Sequence, residues 1–234
     1  MILAPAANDR AMVNGSDMRI GVFGGTFDPV HLAHLILAEQ CREQGRLDEV
    51  RFVVAARPPH KPQPIASFDQ RVEMLTLAVS GQPAFRVEEL ERDRPGPSYT
   101  ADTLEELQRR EQSAELALIV GSDSLHDLPM WYQPERILAA AELLVVARPG
   151  SPVMPAEELR RLLHLDARAP LRMAVVEVPP VGIASREVRR RLAEGRSVRF
   201  MIPRAVEAYI GDKRLYVAPP PCTETGKARR GPSM

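Results

Sequence analysis

The chain has 234 residues, enough for one sizeable α/β domain or a domain with a small lobe. Hydrophobic residues make up 44% and charged residues 26%, the balance of a globular protein rather than a low-complexity one. Basic and acidic residues number 31 each, so no global field draws the chain to nucleic acid or to a membrane, and any anion site must be local. No apolar run approaches the ~18 residues that span a bilayer. Asn8, Asp9 and Arg10 interrupt any signal-peptide core. Cys41 and Cys222 lie far apart, and neither a disulfide framework nor a cysteine zinc site is readable. A cytoplasmic location is therefore expected.

Residues 1–17 are small, polar and aperiodic, and read as a disordered extension or as a mis-assigned start with Met18 as the true one. Residues 217–234, rich in Pro, Gly and Arg, read as a loose tail. Between them, 18–216 is expected to form a single domain. Apolar, β-branched strands are expected at 19–23, 50–55, 85–87, 116–120, 143–147 and 173–178, most of them continuous rather than alternating, as buried parallel strands are. Helical periodicity fills 31–46, 68–79, 100–112, 134–141, 155–163, 185–193 and 203–210. Thr100 with Thr103 and a nearby Glu105 approximates a capping box. This alternation predicts an α/β fold: a doubly wound, Rossmann-like parallel sheet with helices on both faces. Ligands then bind at the carboxyl ends of the strands, near the switch point.

The first strand runs into Gly24-Gly25-Thr26-Phe27-Asp28-Pro29-Val30-His31-Leu32-Ala33-His34. Two glycines permit positive φ and close approach of backbone to a ligand. The N–H groups opening the next helix favour an anion there. His31 and His34, spaced i, i+3, share one helix face in its first turn. Asp28 is expected to cap that helix, with Pro29 in its first turn. A plain structural turn and a histidine metal pair are the alternatives, although no carboxylate or cysteine stands at a recognisable zinc spacing. Neither a G-x-G-x-x-G fingerprint nor a P-loop is present.

A second anion element is expected at Gly182-Ile183-Ala184-Ser185-Arg186-Glu187-Val188-Arg189, with Ser185 as N-cap. Arg186, Arg189, Arg190 and Arg191 crowd a helix start, where cations oppose the dipole, so a bound polyphosphate gives them a reason; a solvated basic face is the bland alternative. Other candidates lie after strands or before helices. Trp131 can stack a heterocycle, and the helix start at Tyr99 and Thr100 can hold a carboxylate. Asp123 can accept from ribose hydroxyls, and Lys61 and Arg148 can bind a monophosphate. Taken singly, the tryptophan reads as core and Ser98-Tyr99-Thr100 as a cap.

The turn and the 182–189 element resemble the (H/T)-x-G-H nucleotidyltransferases, with departures at Ala33, Ala184 and Arg186. Further matches are the Pro-x-His-Lys segment at 58–61, Asp69-Gln70-Arg71, Ser98-Tyr99-Thr100-x-Asp102-Thr103-Leu104, Gly121-Ser122-Asp123-Ser124, Trp131-Tyr132, and the late Gly195, Pro203 and Tyr209-Ile210. Together these resemble the bacterial nicotinate-nucleotide adenylyltransferase family over nearly all of 18–212. The resemblance implies ATP and nicotinate mononucleotide as substrates, with Mg²⁺ carried by phosphates rather than by protein ligands. It also implies that Gly24, Gly25, Thr26, Phe27, His31, His34, Ser185 and Arg189 hold ATP. His31, His34 and Arg189 would then stabilise the transferring phosphates. Tyr99, Thr100, Trp131 and Tyr132 would recognise the nicotinate ring and its carboxylate. Another cytidylyl- or adenylyltransferase, and a nucleotide-sensing module without catalysis, stay open at this point.

Overall fold

A computed structural model describes residues 18–59, 62–148, 150–166 and 169–217. Six strands are present: β1 (Arg19–Gly25), β2 (Glu49–Val54), β3 (Phe85–Glu88), β4 (Glu115–Gly121), β5 (Ala141–Val146) and β6 (Met173–Val176). Every pairing is parallel, and the order across the sheet is β3-β2-β1-β4-β5-β6. The order reverses between β1 and β4, which opens a crevice at their carboxyl ends.

The helices are α1 (Leu32–Gln44), α2 (Phe68–Val79), α3 (Thr100–Arg110), α4 (Ser122–Asp127), α5 (Pro134–Ala140), α6 (Ala156–Leu162), α7 (Ser185–Ala193) and α8 (Arg204–Asp212). Two cores result, one per face. Leu37, Ala38 and Cys41 of α1, Val72, Met74 and Leu75 of α2, Val188 of α7 and Val206 of α8 pack on one side of the sheet. Ala101, Leu104 and Leu107 of α3, Leu125 of α4, Ile137 of α5 and Leu159 of α6 pack on the other. Strand residues alternate between them: Leu144 and Val146 join the first cluster, Leu143 and Val145 the second. Continuous apolar strands follow from this two-sided burial.

The strands and seven of the helices lie where the sequence pattern puts them. The Ser122–Asp127 helix and the 3₁₀ turn Leu128–Met130 have no counterpart in that pattern, because six residues span under two turns and show no period. β2 begins one residue early, at Glu49, and carries Arg51 inside the sheet. Both are buried, and Arg51 pairs with Glu49 (2.6 Å) and Glu111 (2.7 Å). No helix among the described residues is long and apolar enough to cross a membrane. The expectations for 1–17 and 218–234, and Cys222, lie outside the described residues.

Candidate active site

A cleft of about 1300 Å³ opens over the carboxyl ends of β1, β2, β4 and β5, and the segment after β6 closes one side. Helices α1, α3, α4 and α7 all begin on its wall. The last three of these start with no side-chain cap, as do α5, α6 and α8, whereas α2 has Ser67 and Gln70 in a reciprocal capping box. Helix starts left without caps and turned toward one cavity make it a place for negative charge.

The turn after β1 differs in detail from its expected form. Gly24 and Gly25 belong to the strand, opposite Val53 and Val54 of β2, and neither has a positive φ. That torsion falls on Phe27, at φ 48°. The glycines supply room instead. A Cβ on Gly25 would lie 2.8 Å from the Phe27 ring, while one on Gly24 would meet nothing within 4 Å. Phe27 is 1% exposed, its ring wedged against Phe23, Phe52 and His34. Gly25→Ala is therefore expected to destabilise the fold by about 1–3 kcal/mol, since a buried ring on a strained backbone has nowhere to retreat. Gly24→Ala should melt like the wild type yet bind an ATP analogue less well, its methyl standing in the cleft. Thermal melting beside calorimetric titration of the analogue separates the two effects.

Asp28 does not cap α1; His31 does. The Asp28 carboxylate is 3% exposed and accepts from Ile65 N (2.8 Å), Ala66 N (3.1 Å) and the Tyr216 hydroxyl (2.7 Å). A local rule for Asp-Pro assigned a cap where three distant donors claim the side chain. At the true helix start, His31 N–H donates to His34 Nδ1 (3.2 Å). In the neutral His34 ring the proton then sits on Nε2. The two imidazoles stack at 3.6 Å between centroids, 19° apart, and both line the cleft.

Burial first, and then the positive charge of Arg148, pull the His31 pKa down to about 4. The unfolded chain holds that proton more tightly, so folding stability present above pH 6.5 should fall as pH drops toward 4. The loss amounts to about 3 kcal/mol. Urea unfolding at pH 7 and pH 4 of the wild type and His31→Asn would show it as a gap between the proteins that changes by this amount. An identical pH response in both would rule it out.

On the facing wall, α7 begins at Ser185 with Ala184 as N-cap, one residue before the expected cap. The Ser185 hydroxyl donates to Pro29 O (2.9 Å), tying α7 to the turn. The four arginines of α7 divide. Arg186 lines the cleft. Arg189 instead donates to Asp28 O and lies 3.7 Å from its carboxylate. Arg190 pairs with Glu187 (2.8 Å) and Glu194 (3.0 Å), and Arg191 donates to Ser197 O (2.8 Å). The solvated-face reading thus holds for Arg190, which is satisfied along its own helix.

Most of the remaining predicted residues lie along the same cleft. Tyr99, Thr100, Trp131, Tyr132 and Arg148 line the same cleft as Gly24, Gly25, Thr26, Phe27, His31, His34 and Ser185. The Tyr99 and Tyr132 rings stack at 4.2 Å. Asp123 stands beside the cleft and pairs with Arg148 (2.9 Å). Tyr99, not Thr100, is the N-cap of α3, and no capping box forms there. Thr103 donates its hydroxyl to Glu91 (2.6 Å). Lys61 lies outside the described residues.

A cytidylyltransferase-like family model matches residues 22–191. A Thermus thermophilus relative named "Probable nicotinate-nucleotide adenylyltransferase" is 52% identical over 199 residues, covering 85% of this chain and 100% of its own. A relative of the same name from Thermomicrobium roseum is 45% identical, over 85% and 91% of the two chains. The chain belongs to the nicotinate-nucleotide adenylyltransferase family. The solved structure of Plasmodium falciparum nicotinic acid mononucleotide adenylyltransferase complexed with NaAD shares its fold, with a TM-score of 0.70 at 18% identity, over 85% of this chain and 97% of that one.

Within this adenylyltransferase, three residues on or behind the site carried no functional assignment from sequence: Arg71, Glu91 and Tyr216. Arg71 and Glu91 are buried charges, 2% and 4% exposed. A charged residue inside an apolar helix pattern was the available signal for Arg71, since such a residue is rarely buried without a task. Tyr216 reaches Asp28 across 188 positions, beyond any local pattern.

Proposed function

We propose that the enzyme transfers AMP from ATP to nicotinate mononucleotide, forming nicotinate adenine dinucleotide and pyrophosphate, a step of NAD biosynthesis. One observation carries this reading. The histidine turn and the pocket of Tyr99, Thr100, Trp131 and Tyr132 share a single cleft at the β1–β4 switch of the sheet. Two anionic substrates can lie end to end there, each over helix N-termini.

ATP lies along Gly24, Gly25, Thr26 and Phe27, with His31 and His34 at the α- and β-phosphates. Arg186 on the cleft wall faces the leaving pyrophosphate, and Arg189 acts from behind, through Asp28. The start of α3 takes the nicotinate carboxylate, Trp131 and Tyr132 its ring, and Arg148 and Lys61 its phosphate. Asp123 accepts from ribose hydroxyls. A phosphate monoester oxygen attacks the α-phosphorus in line, and the bond from the α-phosphorus to the bridging oxygen of pyrophosphate breaks. The attacking phosphate has its second pKa near about 6 and is ionised at neutral pH, so no general base is needed. Catalysis is positioning and charge stabilisation. A divalent cation such as Mg²⁺, brought by the phosphates of ATP, would supply neutralisation of phosphate charge. Among the described residues no three His, Cys, Asp or Glu side chains form a group that could hold a metal ion.

The test is pyrophosphate release with ATP and nicotinate mononucleotide, nicotinamide mononucleotide or phosphopantetheine. Preference for the acid mononucleotide is expected, and faster turnover of phosphopantetheine would overturn the reading. Release of no pyrophosphate in a single turnover would return the protein to the nucleotide-sensing class.

A further inference from the structure

Arg71 is among the largest fully buried side chains, and among the described residues it forms no ion pair. Its Nη1 donates to two main-chain carbonyls, Thr26 O (2.9 Å) and Ala55 O (2.8 Å), and its guanidinium stands 5.4 Å from the Phe68 ring centroid. Burying a guanidinium this way is expensive, and an apolar side chain of the same volume would serve the core better. Burial works against its charge, and the carboxylates of Asp28 and Glu91 offset part of that penalty. The carbonyls it joins explain why the charge is there.

Thr26 follows β1 and leads into the turn with Asp28, His31 and His34. Ala55 follows β2 and leads into another part of the cleft wall. There Ala56 N donates to Glu91 Oε2 (3.3 Å), and Thr103 of α3 donates to Glu91 Oε1 (2.6 Å). Arg57 and Ser98 exchange two bonds, from Arg57 N to the Ser98 hydroxyl (3.0 Å) and from Ser98 N to Arg57 O (2.9 Å). The segment leaving β2 is thus zipped to Ser98 and the start of α3, which carries Tyr99 and Thr100. One amino group on Arg71 sits where the two half-sites meet. Ala55 N donating to Gly25 O (2.9 Å) is a further link across that seam, as are the bonds from Ile65 N and Ala66 N to the Asp28 carboxylate.

We propose that Arg71 is a positioning residue that fixes the distance between the two substrate half-sites, holding the attacking phosphate in line with the α-phosphorus. This rests on the two-substrate reading above. Arg71 does not line the cleft, so its loss should leave each half-site able to bind its own substrate. What suffers is their mutual placement, and misplacement of reacting groups by about 1 Å costs about 10²-fold in rate.

The test compares Arg71→Met, Arg71→Lys and Val79→Ala, the last a core truncation on the same helix that touches neither carbonyl. Steady-state pyrophosphate release is measured with ATP and nicotinate mononucleotide, beside calorimetric binding of each substrate alone. Arg71→Met is expected to lose about 10²-fold in kcat. Its single-substrate affinities should stay close to wild type, Arg71→Lys should recover part of the loss, and Val79→Ala should keep its kcat. Wild-type kcat in Arg71→Met, or an equal kcat loss in Val79→Ala, would overturn the proposal. Should Arg71→Met not fold, Arg71→Lys carries the comparison. Amide exchange gives a readout independent of the reaction: residues 26–31 and 55–57 should exchange faster in Arg71→Lys, and unchanged exchange in both segments would count against the tie. Failure of the wild type to turn over this substrate pair would defeat the functional reading, and the exchange result would still decide the role of Arg71.

Discussion

His34→Ala is expected to lower kcat for pyrophosphate release by about 10²–10³, the usual loss when one donor to a developing phosphate charge is removed. The same substitution takes away the acceptor of the His31 N–H, so a small loss of stability, about 1 kcal/mol, should accompany it. His34→Asn separates the two roles. Its side-chain oxygen can take over the N–H at the helix start, while its amide falls short of the place the imidazole Nε2 reaches. Stability should return in His34→Asn and turnover should not. If His34→Ala turned over within a few-fold of wild type, the histidine would be only a helix-start residue, and the phosphate assignment of the turn would fall with it.

The parts of this enzyme legible in its sequence are those set by local pattern. The helices Phe68–Val79 and Ser185–Ala193 lie at the residues their periodicity indicates, because an apolar stripe in each meets one core cluster. The six parallel strands follow from unbroken apolar runs, since both faces of the sheet are covered. The cleft at the sheet's switch point followed from that alternation, and most residues singled out along the chain do line it.

What stayed hidden depends on distance or on competition. A glycine pair looks the same whether it supplies a torsion or a space, and here Gly25 supplies space for a ring while Phe27 takes the torsion. Asp28-Pro29 obeys the helix-cap rule locally, but Ile65, Ala66 and Tyr216 outbid the helix for its carboxylate. The arginines of α7 look alike in sequence. Glu187 and Glu194 stand at the helical spacing that satisfies Arg190. Only the packing of α7 against the turn decides that Arg186 faces the cleft and Arg189 the Asp28 loop.

Asp28 should therefore be the most sensitive position for stability. Replacing it by alanine leaves two main-chain N–H groups and the Tyr216 hydroxyl without their acceptor, and leaves Arg189 beside no carboxylate. Removing one partner from a buried charged network costs about 3–5 kcal/mol. Asp28→Asn keeps the volume and one acceptor oxygen but turns an amide N–H₂ toward an N–H donor, at a cost of about 1–3 kcal/mol for a buried group left unpaired. Tyr216→Phe removes one donor and nothing else from this network, so about 1 kcal/mol is expected. The ranking Asp28→Ala worst, Asp28→Asn next and Tyr216→Phe least can be read from urea unfolding at pH 7. Turnover measured at a temperature where each variant stays folded adds the functional half. Because Asp28 fixes the backbone between Phe27 and His31 from behind, kcat should drop in Asp28→Asn even when the protein is fully folded. A folded Asp28→Asn with wild-type kcat would mean that the turn keeps its shape without the carboxylate, and that Asp28 serves the fold alone.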